Sequence, residues 1–176
     1  MNREQLHALL GKAKARIAHA EFVIVGSLAI LGAVKQPPNT MVTSIDVDAF
    51  LKNDPKRTGE LAEALGQGSA FEDEFGYYLD PVSPNLPSFP EGWRGRLTLL
   101  DFGDVKAFFV DPNDVAVSKY IRGEDRDLRW LRAGLQAGLL DMTIIEHRIA
   151  SAPALDGELD AARKRMARHK KRLKLA

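Results

Sequence analysis

Asp46 and Asp48 are the residues of this chain best suited to chemistry. Two carboxylates spaced by two on an extended segment project from one face, with their α-carbons about 7 Å apart. Left alone they repel. A divalent cation such as Mg²⁺ or Mn²⁺ relieves that repulsion, because it takes carboxylate oxygens and completes its shell with phosphate. Two such ions can hold the attacking and leaving oxygens of a phosphoryl transfer. The plainer alternative is a solvent-facing strand with two ordinary surface acids. Upstream, Gly26-Ser27 ends the apolar run Phe22 to Val25. Glycine permits a tight turn, and serine at a helix start offers a hydroxyl beside backbone N–H groups, which suits phosphate. By itself this pair reads better as an ordinary turn.

Elements must hold these residues in place. Leu6, Leu9, Leu10, Ala13 and Ile17 recur at helical steps, which predicts an amphipathic helix over 3–20. A short buried strand over 22–25 follows, then a brief apolar helix over 28–34, broken by Gln36-Pro37-Pro38-Asn39. Met41 to Phe50 alternates as a strand, with Val42, Ser44, Asp46 and Asp48 on one face and Thr43, Ile45 and Val47 on the other. Asp54-Pro55 predicts a capped helix that carries Leu61 and Leu65 inward and stops near Gly66. A third strand is expected over 75–79, ending at Asp80-Pro81, and a proline-rich loop runs on to Trp93. Residues 96–102 and 105–110 read as two strands joined by a turn at Gly103-Asp104. Helices are expected from Asp111 to Gly123, over 124–136, over 141–150 and from Asp156 to the end. Strands first and helices last make an α+β order.

Together these motifs resemble the DNA polymerase β-like nucleotidyltransferase superfamily, in which a strand leads to Gly-Ser at a helix start and Asp-x-Asp follows on the next strand. Eighteen residues separate Ser27 from Asp46, more than is usual there, with the surplus at Gln36–Met41. This elongation is similar to the minimal toxin-type branch, the AbiEii and MenT-like proteins and related bacterial families without assigned function. Val110-Asp111-Pro112-Asn113-Asp114-Val115-Ala116-Val117-Ser118-Lys119 is similar to that branch's Pro-x-Asp-Leu-x-x-x-Lys helix, and Arg126-Asp127-Leu128 to its Arg/Lys-Asp-Leu motif. The resemblance implies that Gly26 and Ser27 hold a nucleoside triphosphate. It implies that Lys119 contacts the triphosphate, that Asp127 lies near the site, and that Asp46 and Asp48 bind the metals. The superfamily's third carboxylate would be Asp80, with Asp101 as competitor. The implied fold is a small mixed nucleotidyltransferase sheet flanked by helices. Its core would span 1–111, with a helical section over 112–152 packed on it and a basic C-terminal helix over 153–176.

Composition narrows the chemistry. The 176 residues contain no cysteine, so disulfides, thiolate zinc sites and cysteine nucleophiles are excluded. A reducing cytoplasm fits. The longest apolar run, Phe22 to Val34, falls short of a membrane span, and the charged N-terminus does not look like a signal peptide. The four histidines lack metal-ligand spacing, no Gly-x-Ser-x-Gly elbow accompanies Ser27, and Phe71, Phe75, Tyr77, Tyr78 and Trp93 read as packing rather than a base-stacking platform. Eight of the 25 Lys and Arg residues lie in 163–176, leaving 17 against all 24 acids elsewhere. Leu155, Leu159, Ala162, Met166 and Leu173 form a helical stripe through this basic segment. It reads either as a solvated helix end or as a contact for an RNA backbone. The resemblance then implies a metal-dependent transfer of a nucleoside monophosphate to an acceptor, with RNA such as a tRNA 3′ end as first reading and a cognate antitoxin or toxin as partner. The alternatives are an antitoxin-like transferase acting on a protein, and a degenerate domain that binds nucleotide or partner without catalysis.

Overall fold

The computed structural model describes residues 1–85 and 87–174. Leu86, within the expected proline-rich loop, and residues 175–176, at the end of the expected tail helix, lie outside the described residues. The sheet has five strands in the order β3-β2-β1-β5-β4. Central β1 (Glu21–Ile24) pairs antiparallel with β2 (Asp46–Leu51) and parallel with β5 (Lys106–Phe109). β3 (Tyr78–Pro81) pairs parallel with β2, and β4 (Thr98–Asp101) antiparallel with β5 around the turn at Gly103-Asp104. With eight α-helices among the described residues around it, this is an α+β fold with a mixed sheet.

The three central strands, β1, β2 and β5, divide their side chains between two cores. Phe22 and Ile24 of β1, Val47, Ala49 and Leu51 of β2, and Ala107 and Phe109 of β5 face α1 (Arg3–Ile17). That helix buries Leu6, Leu9, Leu10, Ala13 and Ile17, and Asn2 caps its start. Each such apolar side chain contributes about 1.5–3 kcal/mol on full burial. Val23, Val25 and Phe50 point the other way, into the helical section. Because Asp46 and Asp48 share the parity of Phe50, the alternation that buries Val47 aims both acids toward those helices.

The helical section is built around α5 (Pro112–Arg122), which packs on α6 (Asp125–Gln136), α7 (Met142–Arg148) and α8 (Asp156–Leu173). Asp111 caps α5, proline opens it, and Gly123 closes it in the left-handed region. No helix among the described residues is long and apolar enough to cross a membrane.

Several expected elements are altered. β2 begins at Asp46 rather than Met41, because β1 and β3 offer no partner to residues 42–44; a 3₁₀ turn, Asn39–Met41, stands there instead. Ile45 is therefore half-exposed rather than in line with buried Val47. The expected third strand over 75–79 is split: Phe75 ends α4 (Ala70–Phe75), capped by Ser69 and closed by Gly76, and β3 starts only at Tyr78. Asp80 thus lies within β3. The helix expected after Asp54 is mostly a 3₁₀ turn, Pro55–Leu61, without a side-chain cap, and its α-helical part, α3, is only Ala62–Leu65. Arg96 belongs to a 3₁₀ turn rather than to β4. On α8 the inward stripe omits exposed Leu155 and recruits His169 beside Ala162 and Met166.

Candidate active site

The turn after β1 sets the first wall. Gly26 has φ +64°, and a β-carbon there would overlap the Asp48 carboxylate, so both conformation and space require glycine. The Val25 N–H donates to the Asp48 carbonyl at 2.9 Å, which fixes the turn against β2. A 3₁₀ turn, Ser27–Ala29, and a four-residue helix α2 (Ile30–Ala33) replace the apolar helix expected from Leu28. So short a helix has little dipole, and the burden of holding an anion shifts to side chains.

Parallel pairing of β3 with β2 supplies the second wall. Asp48 stands opposite Asp80 in register, and one oxygen each from Asp46, Asp48 and Asp80 lie within 4.8 Å of one another. None of the three makes an ion pair among the described residues; Asp46 is bonded by the Ser44 hydroxyl. Burial, then repulsion from Asp46 and Asp80, pushes the Asp48 carboxyl up to about 6. Asp80 is raised by burial and by Asp46. A cluster of hard oxygens that resists its own ionisation fits a divalent cation such as Mg²⁺ or Mn²⁺. Asp101, the competitor for third carboxylate, lies on β4 at the far edge of the sheet and bonds the Gly103 N–H instead.

The third wall comes from α5 and α6. The Lys119 ammonium donates to Ser27 Oγ at 3.0 Å and to Asp127 Oδ1 at 2.9 Å. Arg122, one turn further, grips the same Asp127 through Nε at 2.7 Å and Nη2 at 2.6 Å. Burial alone would raise Asp127, but the hydrogen bonds from Arg122 and Lys119 hold it below its ordinary value. Burial outweighs Asp127 at Lys119 and lowers its pKa. Asp127 is fully enclosed, so it positions the two cations rather than facing the cleft itself. A cleft of about 560 Å³ opens between these cations and the acids, lined by Gly26, Asp48, Ser118, Lys119 and Arg122, with Phe89 and Glu158 opposite.

Two contributors escaped the sequence reading. Arg122 follows Lys119 by three, a spacing that puts both on one helix face and could have revealed it. Trp130 gave no such signal. Its indole N–H is shared at 3.2 Å between the carbonyls of Ser27 and Met41, and Lys119 Nζ lies 5.1 Å from its ring centre. Trp130 therefore ties the Gly-Ser turn to the elongated segment before β2.

A family model described as "Nucleotidyltransferase of unknown function (DUF6036)" matches residues 4–172, a span that contains every element of this site. No curated protein matches the chain, and no solved structure does.

Proposed function

The chain belongs to this nucleotidyltransferase family, and from that premise we propose that it moves a nucleoside monophosphate from a nucleoside triphosphate to an acceptor hydroxyl. The carrying observation is the cleft itself, with unpaired Asp48 on one wall and Lys119 and Arg122 on the other. Asp46, Asp48 and Asp80 would hold Mg²⁺ or Mn²⁺, which when bound neutralises charge on the transferring phosphoryl group. Lys119 and Arg122 bind the β- and γ-phosphates, Lys119 as a point charge and Arg122 as a planar fork. Ser27 orients Lys119 and closes the turn over the phosphates. Asp127 holds both cations in place. The acceptor oxygen bonds to the α-phosphorus, the bond to the bridging oxygen breaks, pyrophosphate departs and the hydroxyl proton passes to water.

The toxin-type branch and an RNA acceptor are the finer reading. The long segment between Ser27 and Asp46 supports the branch. The tail supports RNA less uniformly than its composition suggested. Arg165 caps the end of α5 through the Tyr120 carbonyl at 2.9 Å, Lys170 pairs with Glu146 and Arg163 with Asp160. Lys164, Arg168, Lys171 and Arg172 remain exposed or half-exposed on α8 without an ion pair among the described residues. Those four are the surface offered to an RNA backbone.

Lys119→Ala tests the site. Calorimetric titration with a nucleoside triphosphate and Mn²⁺ should show binding weakened by about 1–3 kcal/mol, the loss of a charged hydrogen bond. Unchanged affinity removes Lys119 from the triphosphate.

A further inference from the structure

The acidic cluster separates two cavities. The larger is the cleft of Lys119 and Arg122, on the Asp48 side. The smaller, about 260 Å³, opens on the Asp46 side, lined by Asp46 with Ser27, Thr40, Thr43 and Ser44, of which Ser44 donates its hydroxyl to the Asp46 carboxylate. One cation borders it, Arg126 of α6, whose Nε is held by Glu124 at 2.8 Å. Its two terminal nitrogens make no hydrogen bond among the described residues. Arg129, exposed and three residues on, continues positive charge along the same helix face. Among its lining residues stands Ile45, 52 % exposed, an apolar side chain that joins Met41 and Trp130 beside the hydroxyls.

We propose that this second cavity receives the acceptor, and that the acceptor is the end of a single-stranded polynucleotide: its phosphodiester on Arg126, its reacting hydroxyl toward Asp46, and a sugar or base face on Ile45. The proposal rests on the nucleotide reading of the larger cleft. An in-line displacement keeps attacking and leaving oxygens on opposite sides of the phosphorus. If pyrophosphate leaves toward Lys119 and Arg122, the attacking hydroxyl enters from the Asp46 side, and this cavity is the opening there. Its chemistry then selects the acceptor. A free guanidinium fork matches two phosphate oxygens. A protein acceptor gains from Arg126 only where a carboxylate happens to flank its hydroxyl, whereas a polynucleotide always places a phosphate beside its terminal sugar. The apolar face of Ile45 suits a stacked or edge-on ring and has no use for a small ionic acceptor.

Arg126→Gln in the full chain tests the proposal without touching Lys119, Arg122 or the acids. The probe is a fluorescein-labelled 12-nucleotide single-stranded RNA, with binding followed by anisotropy across a salt series. Affinity should fall about tenfold or more, as for loss of a charged hydrogen bond. The slope of log K against log salt should become shallower by about 0.7, one phosphate contact on a single strand. Calorimetric affinity for nucleoside triphosphate with Mn²⁺ should stay unchanged. RNA affinity and slope equal to wild type overturn the proposal, as does failure of the wild-type chain to bind the RNA. A parallel fall in nucleotide affinity overturns it too, since Arg126 would then serve the nucleotide. Label transferred from nucleotide to a protein, undiminished in Arg126→Gln, assigns the cavity to a protein acceptor instead. Failure of the parent reading shows separately, as a wild-type chain that binds no nucleotide with Mn²⁺.

Discussion

The two ends of α5 treat carboxylates in opposite ways. At its start, Asp114 is fully buried and Asp111 lies beside it. Arg96 forks onto Asp114 at 2.8 and 3.1 Å, and Arg148 reaches both acids at 2.8 Å. Two cations answer two anions, and the result locks the turn before β4, α5 and α7 together. At the other end, Lys119 and Arg122 are bound to Asp127 and leave Asp46, Asp48 and Asp80 across the cleft without an ion pair among the described residues. Where the chain supplies its own counter-ions, buried acids are architecture. Where it withholds them, the cluster can take charge brought from outside.

The sharpest way to break this contrast is to remove one acid from each end. Asp114→Ala should destabilise the protein by about 3 kcal/mol in urea unfolding, because it strands Arg96 and Arg148 in a partly buried place. Asp48→Asn should do the reverse in metal-free protein. It removes repulsion and the burial of a charge, and should raise stability by about 1–2 kcal/mol. The same substitution should abolish stabilisation by Mn²⁺ in a thermal melt. Equal signs for the two variants, both measured with a chelator present, would dissolve the distinction between a structural and a functional cluster.

How much of this could be read from residue order depends on the range of the contact. The alternation around Val47 placed Asp46 and Asp48 on one face without any knowledge of the neighbours, because strand periodicity is local. Helix α5, with Asp111, Pro112 and Gly123 at its ends, was equally legible. The three-acid cluster was legible only through the resemblance, which put Asp80 ahead of Asp101, since it depends on β3 pairing in parallel with β2, and Asp80-Pro81 viewed alone is indistinguishable from a turn. The strand expected at Phe75 failed because Ser69, three residues before Glu72, starts a short helix that Gly76 ends, and this local capping outweighed aromatic strand propensity. The role of Trp130 rests on carbonyls about a hundred residues away in sequence, at Ser27 and Met41. Two of the tail's eight cations escape composition for the same reason: Arg165 and Lys170 have partners on α5 and α7.

The smallest expected effect extends the contrast to a buried group that is neutral. His169 Nδ1 of α8 and the Tyr120 hydroxyl share a hydrogen bond at 2.8 Å. Burial pushes the Tyr120 pKa upward, so its hydroxyl keeps its proton and pairs with a neutral imidazole in either tautomer. Burial, and then Arg132 and Arg172, lower the His169 pKa from its ordinary 6.5. The unfolded chain therefore binds this proton more readily than the folded one. Stability is full above pH 6.5 and declines as pH falls through the window between the two values. His169→Gln keeps an acceptor for Tyr120 but cannot titrate. Thermal melts of wild type and variant at pH 8 and pH 5.5 should show the wild type losing more on acidification than the variant, whose change comes only from groups both proteins share, Asp48 among them, whose raised pKa acts in the opposite direction. If both lose equally, the imidazole is accommodated as a cation, and α8 docks on α5 without regard to charge. If the wild type alone loosens, the neutral pair is a condition of docking. The helix carrying Lys164, Arg168, Lys171 and Arg172 then stays seated beside the cleft only while that pair is unprotonated.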